Sequence, residues 1–296
     1  MNGSVECLIS ISSAPFACLG DKKYYDLLGT IDVMKRIISE SIVDGFELQL
    51  EPEWDPERPP LTDTEFADWT TTPKYTVEEI LELLKGENLP ILSVHASRDI
   101  GNYLCSSRKR DWEKGKNAAR DALFLAKELE AEVCVFHLWN TRAVKLDLKH
   151  VKELFQEVAD QFSSVKAAVE NIPTCHKGAT PFTLVKEFEH VTLDLRWAAM
   201  YDEFAAFQSI VHKLANIHLR GKLEGKRWVL DRSSFSLHKA VSRMKNVWGY
   251  KGLLTLEREG TLDSLRFRDF VEAMKDLRIM IYDADVYRVT VEQTQF

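Results

Sequence analysis

No uncharged stretch of the sequence approaches the roughly 18 apolar residues that a membrane-spanning helix needs. Residues 1–12 lack both the basic segment and the cleavage site of a secretory signal. Cysteine is scarce: the five thiols form no close pairs and Cys134 falls inside an apolar run, so reduced thiols are the simpler expectation. These absences predict a soluble, cytoplasmic protein without membrane contacts.

The sequence also lacks a surplus of basic residues and the glycine-rich loops that bind nucleotides. The formal net charge is -7, with a pI near 5.7, which argues against a surface for duplex nucleic acid. Neither G-x-G-x-x-G nor G-x-x-x-x-G-K-[ST] follows an apolar run. We therefore expect no nucleic-acid partner. The contents of 45% hydrophobic and 29% charged residues are typical of a globular protein.

Six apolar runs of the sequence each end in His, Asp or Glu, and parallel α/β folds place their chemical groups at such strand ends. These runs cover residues 91–95, 133–137, 165–170, 191–194, 214–218 and 253–257. Two further strands are predicted at residues 5–11 and 46–50, and segments with helical spacing of apolar residues lie between the strands. The predicted helices cover residues 30–41, 76–85, 110–129, 148–162, 181–189, 201–214, 234–244 and 265–277.

This alternation predicts an α/β protein with a (β/α)₈ barrel, formed by residues 1–296 as a single domain. An open, doubly wound sheet is the alternative, but the sequence contains no nucleotide-binding loop that would support it. Residues 51–73 are predicted to form a long loop and residues 221–231 an irregular basic segment. Residues 279–296 alternate apolar and polar side chains, which predicts a C-terminal extension with a terminal strand. That extension is a candidate dimerisation arm, so a homo-oligomer is an open expectation.

Four strand ends carry a set of side chains that suits a metal ion. The C-terminal ends of barrel strands converge on one mouth, so these side chains are predicted to face one another. Three crowded carboxylates repel unless a cation or shared protons compensate them, and carboxylates with an imidazole suit Mn²⁺, Mg²⁺, Co²⁺ or Zn²⁺. Any one such residue alone is more often structural, but four in register predict one divalent metal. They are Glu170, Asp194, His218 and Glu257.

These residues carry a resemblance to the xylose isomerase-like superfamily of barrels, which spans nearly the whole chain. In that superfamily a Glu after strand five, an Asp after strand six, a His after strand seven and a Glu after strand eight hold one divalent metal. The four residues named above match this set in identity and order. His95 and His137 match histidines that endonuclease IV-type members carry after strands three and four. Glu47 lies in a run that resembles the family's second strand, whose Glu often supports the site.

Two departures from the family pattern separate its branches. After strand six the family usually shows Asp-x-x-His, whereas this chain has Trp197 at the position of the second His. The Asp-x-His pair that endonuclease IV-type members carry after strand seven is also absent, because the nearest candidate, residues 231–233, lacks the His. The resemblance therefore implies a single-metal site like that of the isomerases and epimerases, and not a trinuclear one.

The implied activity is isomerisation or epimerisation of a sugar or sugar phosphate through an enediolate, with Glu170 and Glu257 as the catalytic proton-transfer groups. The alternatives are an endonuclease IV-like AP endonuclease, which hydrolyses phosphodiesters with metal, and a catalytically silent metal-binding barrel. A small-molecule sugar is the expected partner. The predicted substrate-binding residues are His95, His137, Trp197, Arg220 and Glu47.

Overall fold

A computed structural model describes residues 7–14, 16–19, 26–51, 53, 74–224, 227–229, 236–258 and 266–283 of the 296-residue chain. Nine strands lie in this part of the chain. They are β1 (Ile9–Ser12), β2 (Gly45–Gln49), β3 (Ile91–His95), β4 (Val133–Phe136), β5 (Lys166–Glu170), β6 (His190–Asp194), β7 (Leu214–Glu224), β8 (Arg227–Val229) and β9 (Leu253–Arg258).

Helices follow almost every strand. They are α1 (Phe16–Leu19), α2 (Leu27–Ser39), α3 (Val77–Glu87), α4 (Asp99–Leu104), α5 (Lys109–Glu128), α6 (Leu148–Ala159), α7 (Pro181–Val185), α8 (Leu195–Met200), α9 (Leu237–Asn246) and α10 (Phe267–Asp283). Two 3₁₀ segments, Asp160–Phe162 and Phe204–Lys213, complete the set. No helix in the described ranges is long and apolar enough to cross a membrane.

Eight of the strands close into a parallel barrel in the order β1, β2, β3, β4, β5, β6, β7, β9. Parallel pairing of β6 with β7 and of β9 with β1 completes the ring. This closure confirms the predicted (β/α)₈ barrel and excludes the open doubly wound sheet, whose edge strands stay unpaired. The short β8 pairs antiparallel with the distal part of β7 and lies outside the ring.

The elements form where apolar periodicity and capping groups favour them. All four residues of β4 are buried, as expected for a strand covered on both faces. In α5 the buried side includes Ala119, Ala122 and Ala126, which share one face at helical spacing. A capping box opens α3, because the N–H of Glu79 donates to Oγ1 of Thr76 and the N–H of Thr76 donates to Oε2 of Glu79.

Three segments differ from the sequence-based expectation. Residues 201–214, predicted as one helix, instead contain a 3₁₀ segment, Phe204–Lys213, with a non-helical Ile210, and Leu214 already belongs to β7. The helical turn after β6 begins earlier, at Leu195. Residues 221–224 and 227–229, predicted as irregular, form a β-hairpin. Residues 279–283, predicted to begin a terminal strand, are the last turn of α10. Residues 284–296 and most of the predicted 51–73 loop lie outside the described residues.

Candidate metal centre

Four predicted metal-binding residues meet at the C-terminal mouth of the barrel. Glu170 and Asp194 are the last residues of β5 and β6, His218 lies within β7, and Glu257 is the penultimate residue of β9. One oxygen or nitrogen from each of them can be chosen so that all four atoms lie within 4.8 Å of one another. The first three residues are fully buried, and the Glu257 side chain is 13% exposed. The structure therefore brings together every residue of the predicted set.

Several ligand atoms of this cluster have no hydrogen-bond partner among the described residues. They are Oε1 of Glu170, Nδ1 of His218 and Oε2 of Glu257. The last two atoms lie 3.1 Å apart but lack the angles of a hydrogen bond. Buried polar atoms without a partner cost free energy, and a cation placed among these atoms would remove that cost. The donor set therefore fits a hard or borderline divalent metal.

Two histidines fix the orientation of Glu170. Nε2 of His137 lies 2.9 Å and Nε2 of His95 lies 3.2 Å from the same oxygen, Oε2 of Glu170. Nδ1 of His95 also lies 3.0 Å from the carbonyl oxygen of Ala96. Because both imidazoles contact Oε2, the second oxygen, Oε1, is left for another ligand. His95 and His137 thus lie beside the cluster, and their predicted contact with substrate stays a prediction.

Asp194 is held at both its backbone and its carboxylate. Its N–H donates to Oδ1 of Asn171 over 2.5 Å, and Nδ2 of Asn171 donates to its carbonyl oxygen over 3.1 Å. Oδ1 of Asp194 accepts from the N–H of Trp197, so the residue that ends β6 also caps α8. Sequence analysis missed Asn171, although it directly follows Glu170 at the end of a strand. The amide of Asn171 aligns the last residues of two neighbouring strands.

Arg220 and Trp197 form one wall of the cluster. NH1 of Arg220 donates to Oδ2 of Asp194 over 3.3 Å and lies 3.8 Å from Oε1 of Glu257. The guanidinium carbon lies 5.0 Å from the centroid of the Trp197 ring, within the range of a cation–π contact. The tryptophan that departs from the family pattern therefore packs against the arginine that pairs with two of the carboxylates.

Glu47 lies beneath the cluster, fully buried on β2. Its Oε2 lies 3.2 Å from Nε2 of His218 and accepts hydrogen bonds from Ser93 and Asn216. Glu47 therefore contacts the imidazole that carries one of the candidate ligand atoms. Its predicted contact with substrate stays a prediction.

The carboxylates of the cluster have unequal proton affinities. Burial opposes ionisation of Glu170, yet His137 and His218 hold its pKa well below the usual range. Burial likewise opposes ionisation of Glu257, but Arg220 and His218 lower its pKa to about 2. For Asp194 burial outweighs the effect of Arg220 and raises the pKa to about 7. Without a cation, protons thus offset part of the cluster's negative charge.

The three imidazoles beside the carboxylates also have unequal pKa values. Burial opposes protonation of His218, but Glu47 and Glu170 raise its pKa well above the usual value. The pKa of His95 rises to about 9, because its contacts with Glu170 and Glu47 outweigh burial. Burial dominates at His137 and lowers its pKa. The cluster thus contains two imidazoles that favour the cationic form and one that favours the neutral form.

Comparison with solved structures finds the same fold in several sugar-epimerase structures. An L-ribulose 3-epimerase superposes with a TM-score of 0.67 at 10% sequence identity, covering 98% of this chain and 100% of that one. A D-tagatose 3-epimerase-like protein gives 0.62 at 18% identity, covering 94% and 98%. D-psicose 3-epimerase from Clostridium cellulolyticum H10, determined with D-tagatose, gives 0.62 at 15% identity, covering 93% and 98%. At these identities the likeness shows the fold alone.

Comparisons at the level of sequence give one match and one negative result. No curated protein matches this chain significantly. The family model described as "Xylose isomerase-like TIM barrel" matches residues 37–277, which include every residue of the cluster. The chain therefore belongs to the xylose isomerase-like TIM barrel family.

Proposed function

We propose that this protein is a divalent-metal-dependent isomerase or epimerase of sugars or sugar phosphates, which removes a proton from a substrate carbon to form an enediolate and returns a proton to the same or the neighbouring carbon. The observation that carries this proposal is the meeting of Glu170, Asp194, His218 and Glu257, with unpartnered buried ligand atoms, at the mouth of the barrel. The sugar epimerases among the structural neighbours support the same class of substrate.

Those four residues would hold one ion, for which Mn²⁺, Mg²⁺, Co²⁺ and Zn²⁺ are the candidates. When bound, the ion polarises a substrate carbonyl and acidifies the neighbouring C–H group. Oε1 of Glu170, Nδ1 of His218 and Oε2 of Glu257 are the atoms left open by the surrounding hydrogen bonds. Asp194 offers its carboxylate from the end of β6, where Trp197 and Arg220 already fix its orientation.

Glu170 and Glu257 are the proposed proton-transfer groups. Their lowered pKa values keep both carboxylates ionised at neutral pH, so either can accept a proton from the substrate carbon. They approach the mouth from β5 and β9 and thus from different sides of the barrel. One carboxylate would take the proton from the substrate carbon and later release it to solvent. The other, after taking up a proton from solvent, would deliver that proton to the enediolate, which inverts or relocates a stereocentre.

The surrounding side chains would bind and orient the sugar. His95 and His137 offer ring nitrogens that can contact hydroxyl groups, and Arg220 offers a cation to a polyhydroxyl or anionic end of the substrate. The ring of Trp197 presents an apolar face to sugar C–H groups. The position of these side chains beside the cluster supports the proposed roles.

The proposal is tested by exchange of the substrate C–H proton with solvent deuterium. The purified protein, loaded with each candidate ion, is incubated with a panel of ketoses and ketose phosphates in D₂O and followed by NMR. We expect deuterium to enter at the carbon beside the carbonyl. Glu257→Gln should reduce this rate by at least ~100-fold, the contribution of a general acid–base group. Glu157→Gln makes the same change at an exposed carboxylate of α6 and should leave the rate unaltered.

The other outcomes identify the alternatives. Bound metal without exchange on any sugar would favour a catalytically silent barrel. Nicking of DNA at abasic sites would favour a repair endonuclease. Equal exchange by Glu257→Gln and the unaltered protein would remove Glu257 from the proposed chemistry.

A further inference from the structure

The barrel interior beneath the cluster is polar on one side. Barrels of this type are usually filled by branched apolar side chains. Here Val133, Val135 and Ala168 form a small separate apolar cluster with Ala215. Strands β1, β2, β3, β7 and β9 instead carry polar residues with no solvent exposure. They are Ser10, Glu47, Ser93, Asn216 and Thr255.

These polar side chains form one connected hydrogen-bond chain that ends at His218. Oγ of Ser10 lies 2.7 Å from Oγ1 of Thr255, and Thr255 donates to Oδ1 of Asn216 over 2.9 Å. Nδ2 of Asn216 donates to Oε2 of Glu47 over 3.0 Å, and Nε2 of His218 lies 3.2 Å from the same oxygen. This chain of hydrogen bonds thus runs from β1 through β9 and β7 to Glu47 on β2, and from Glu47 back to His218 on β7.

The direction of each hydrogen bond follows from the donor capacity of each group. Oε2 of Glu47 accepts from the NH₂ group of Asn216, so the carbonyl oxygen of this amide is turned away from Glu47. That carbonyl oxygen then accepts the single hydroxyl proton of Thr255. Because this proton is used, Thr255 accepts from Ser10. Loss of the Thr255 hydroxyl would leave Oδ1 of Asn216 buried without a donor, and the amide would no longer be held in one orientation.

The orientation of Glu47 decides which nitrogen of His218 faces the cluster. A proton on Nε2 is donated to Oε2 of Glu47, so the nitrogen that remains for a ligand is Nδ1. Nδ1 is the atom that lies 3.1 Å from Oε2 of Glu257 and 3.6 Å from Oε2 of Glu170. A carboxylate that fixes the tautomer of a metal-binding histidine raises its affinity for the metal.

We infer that Thr255 is a positioning residue for the metal ligand His218: its hydroxyl orients the amide of Asn216, which orients Glu47, which keeps Nδ1 of His218 directed at the cluster. This role rests on the metal site of the proposed function. The backbone of Thr255 pairs with that of His218 on the neighbouring strand, and the inferred role belongs to its hydroxyl, which is hydrogen-bonded to Ser10 and Asn216.

The test compares Thr255→Val with Thr255→Ser and with Thr192→Val. The first change removes the hydroxyl at nearly constant volume, and the second retains it. Thr192 is also fully buried on a barrel strand, but its hydroxyl has no hydrogen-bond partner among the described residues. Affinity for Mn²⁺ is measured by calorimetry on each full-length protein. Thr255→Val should weaken it by about 10-fold or more, the usual effect of losing a group that supports a metal ligand. Thr255→Ser and Thr192→Val should retain it.

A second measurement needs no metal. The Nε2 proton of His218 is observed by ¹H–¹⁵N NMR in the metal-free proteins and assigned through its loss in His218→Gln. Protection of this proton from exchange should fall in Thr255→Val and persist in the other two variants. Equal behaviour of Thr255→Val and Thr192→Val in both measurements overturns the inference and leaves the proposed function standing. Absence of Mn²⁺ binding by the unaltered protein, together with the expected loss of protection, overturns the proposed function and supports the hydrogen-bond chain.

Discussion

At the scale of single residues, some side chains of the cluster bind protons at the place where a cation is expected to bind. Glu170 and Glu257 stay ionised because imidazole and guanidinium groups lie beside them, whereas Asp194, with a pKa raised to about 7, holds a proton more tightly than an ordinary aspartate. His95 and His218, which favour the cationic form, both lie beside Glu170. The same contacts that prepare ligands for a metal therefore also make the metal-free protein sensitive to pH.

His95 provides a test of this sensitivity. Its folded-state pKa, raised to about 9, lies above its usual value of 6.5, so its contacts with Glu170 stabilise the metal-free protein fully below pH 6.5. That stabilisation is lost as pH rises through about 9. Urea unfolding of the metal-free protein at several pH values should therefore show a midpoint that falls across this window. His95→Gln should flatten the fall, and His190→Gln, at a half-buried strand start, should not. A midpoint independent of pH would contradict the assigned charge of His95.

At the scale of elements, the sequence predicted the barrel strands well because each is an apolar run with a polar residue at its end. The helices after β6 were predicted less well. Phe204, Phe207 and Ile210 are three residues apart, a spacing that suits a 3₁₀ segment as well as an α-helix. The Asp194 side chain caps α8, so a helical turn begins directly after the strand. The spacing of apolar residues does not reveal this cap, and the predicted helix therefore began too late, at residue 201.

The short helix α4 is positioned by a glycine. A Cβ atom on Gly101 would lie 2.7 Å from the backbone nitrogen of Trp139 and 2.8 Å from the carbonyl oxygen of His137. These backbone atoms cannot move without shifting His137, so Gly101→Ala should destabilise the fold by ~1–3 kcal/mol through overpacking. It should also weaken metal binding measured by calorimetry, because His137 orients Glu170.

Gly86 provides the matched control for Gly101. It also lies in a helix, α3, but an added Cβ would meet nothing within 4 Å. Gly86→Ala should therefore raise the free energy of unfolding by up to ~1 kcal/mol, the difference in helix propensity between the two residues. Equal effects of the two substitutions in urea unfolding would contradict the close packing of α4 on the loop after β4.

At the scale of the whole molecule, barrel closure decides which residues can act together. The four candidate ligands could be predicted because every strand end points to the same mouth. Ser10, Asn216 and Thr255 could not, because small polar residues alternating along a strand are also typical of a face exposed to water. Only the pairing of β9 with both β1 and β7 turns that face inward and connects these side chains.

Closure also means that only the folded chain can assemble the proposed metal site. The candidate ligands come from β5, β6, β7 and β9, which are consecutive in the barrel, whereas Glu170 and Glu257 are 87 positions apart in the sequence. Metal at about 100 times its dissociation constant should thus add ~2.7 kcal/mol to the free energy of unfolding. Binding must also displace protons from Asp194 and His218, whose pKa values are raised. At a fixed metal concentration the stabilisation should therefore be larger at pH 8 than at pH 6.

Thermal unfolding with Mn²⁺ or with a chelator, at both pH values, measures this stabilisation. Asp194→Asn is the informative variant, because an asparagine can still accept the capping hydrogen bond from Trp197 but brings no negative charge to the cluster. We expect this variant to fold and to lose most of the metal-dependent shift. A shift of equal size in Asp194→Asn, or one that does not grow with pH, would mean that the ion binds elsewhere on the protein. If the metal-dependent rise in unfolding temperature is seen in the unaltered protein and is lost in Asp194→Asn, the ion stabilises the barrel by binding at this cluster.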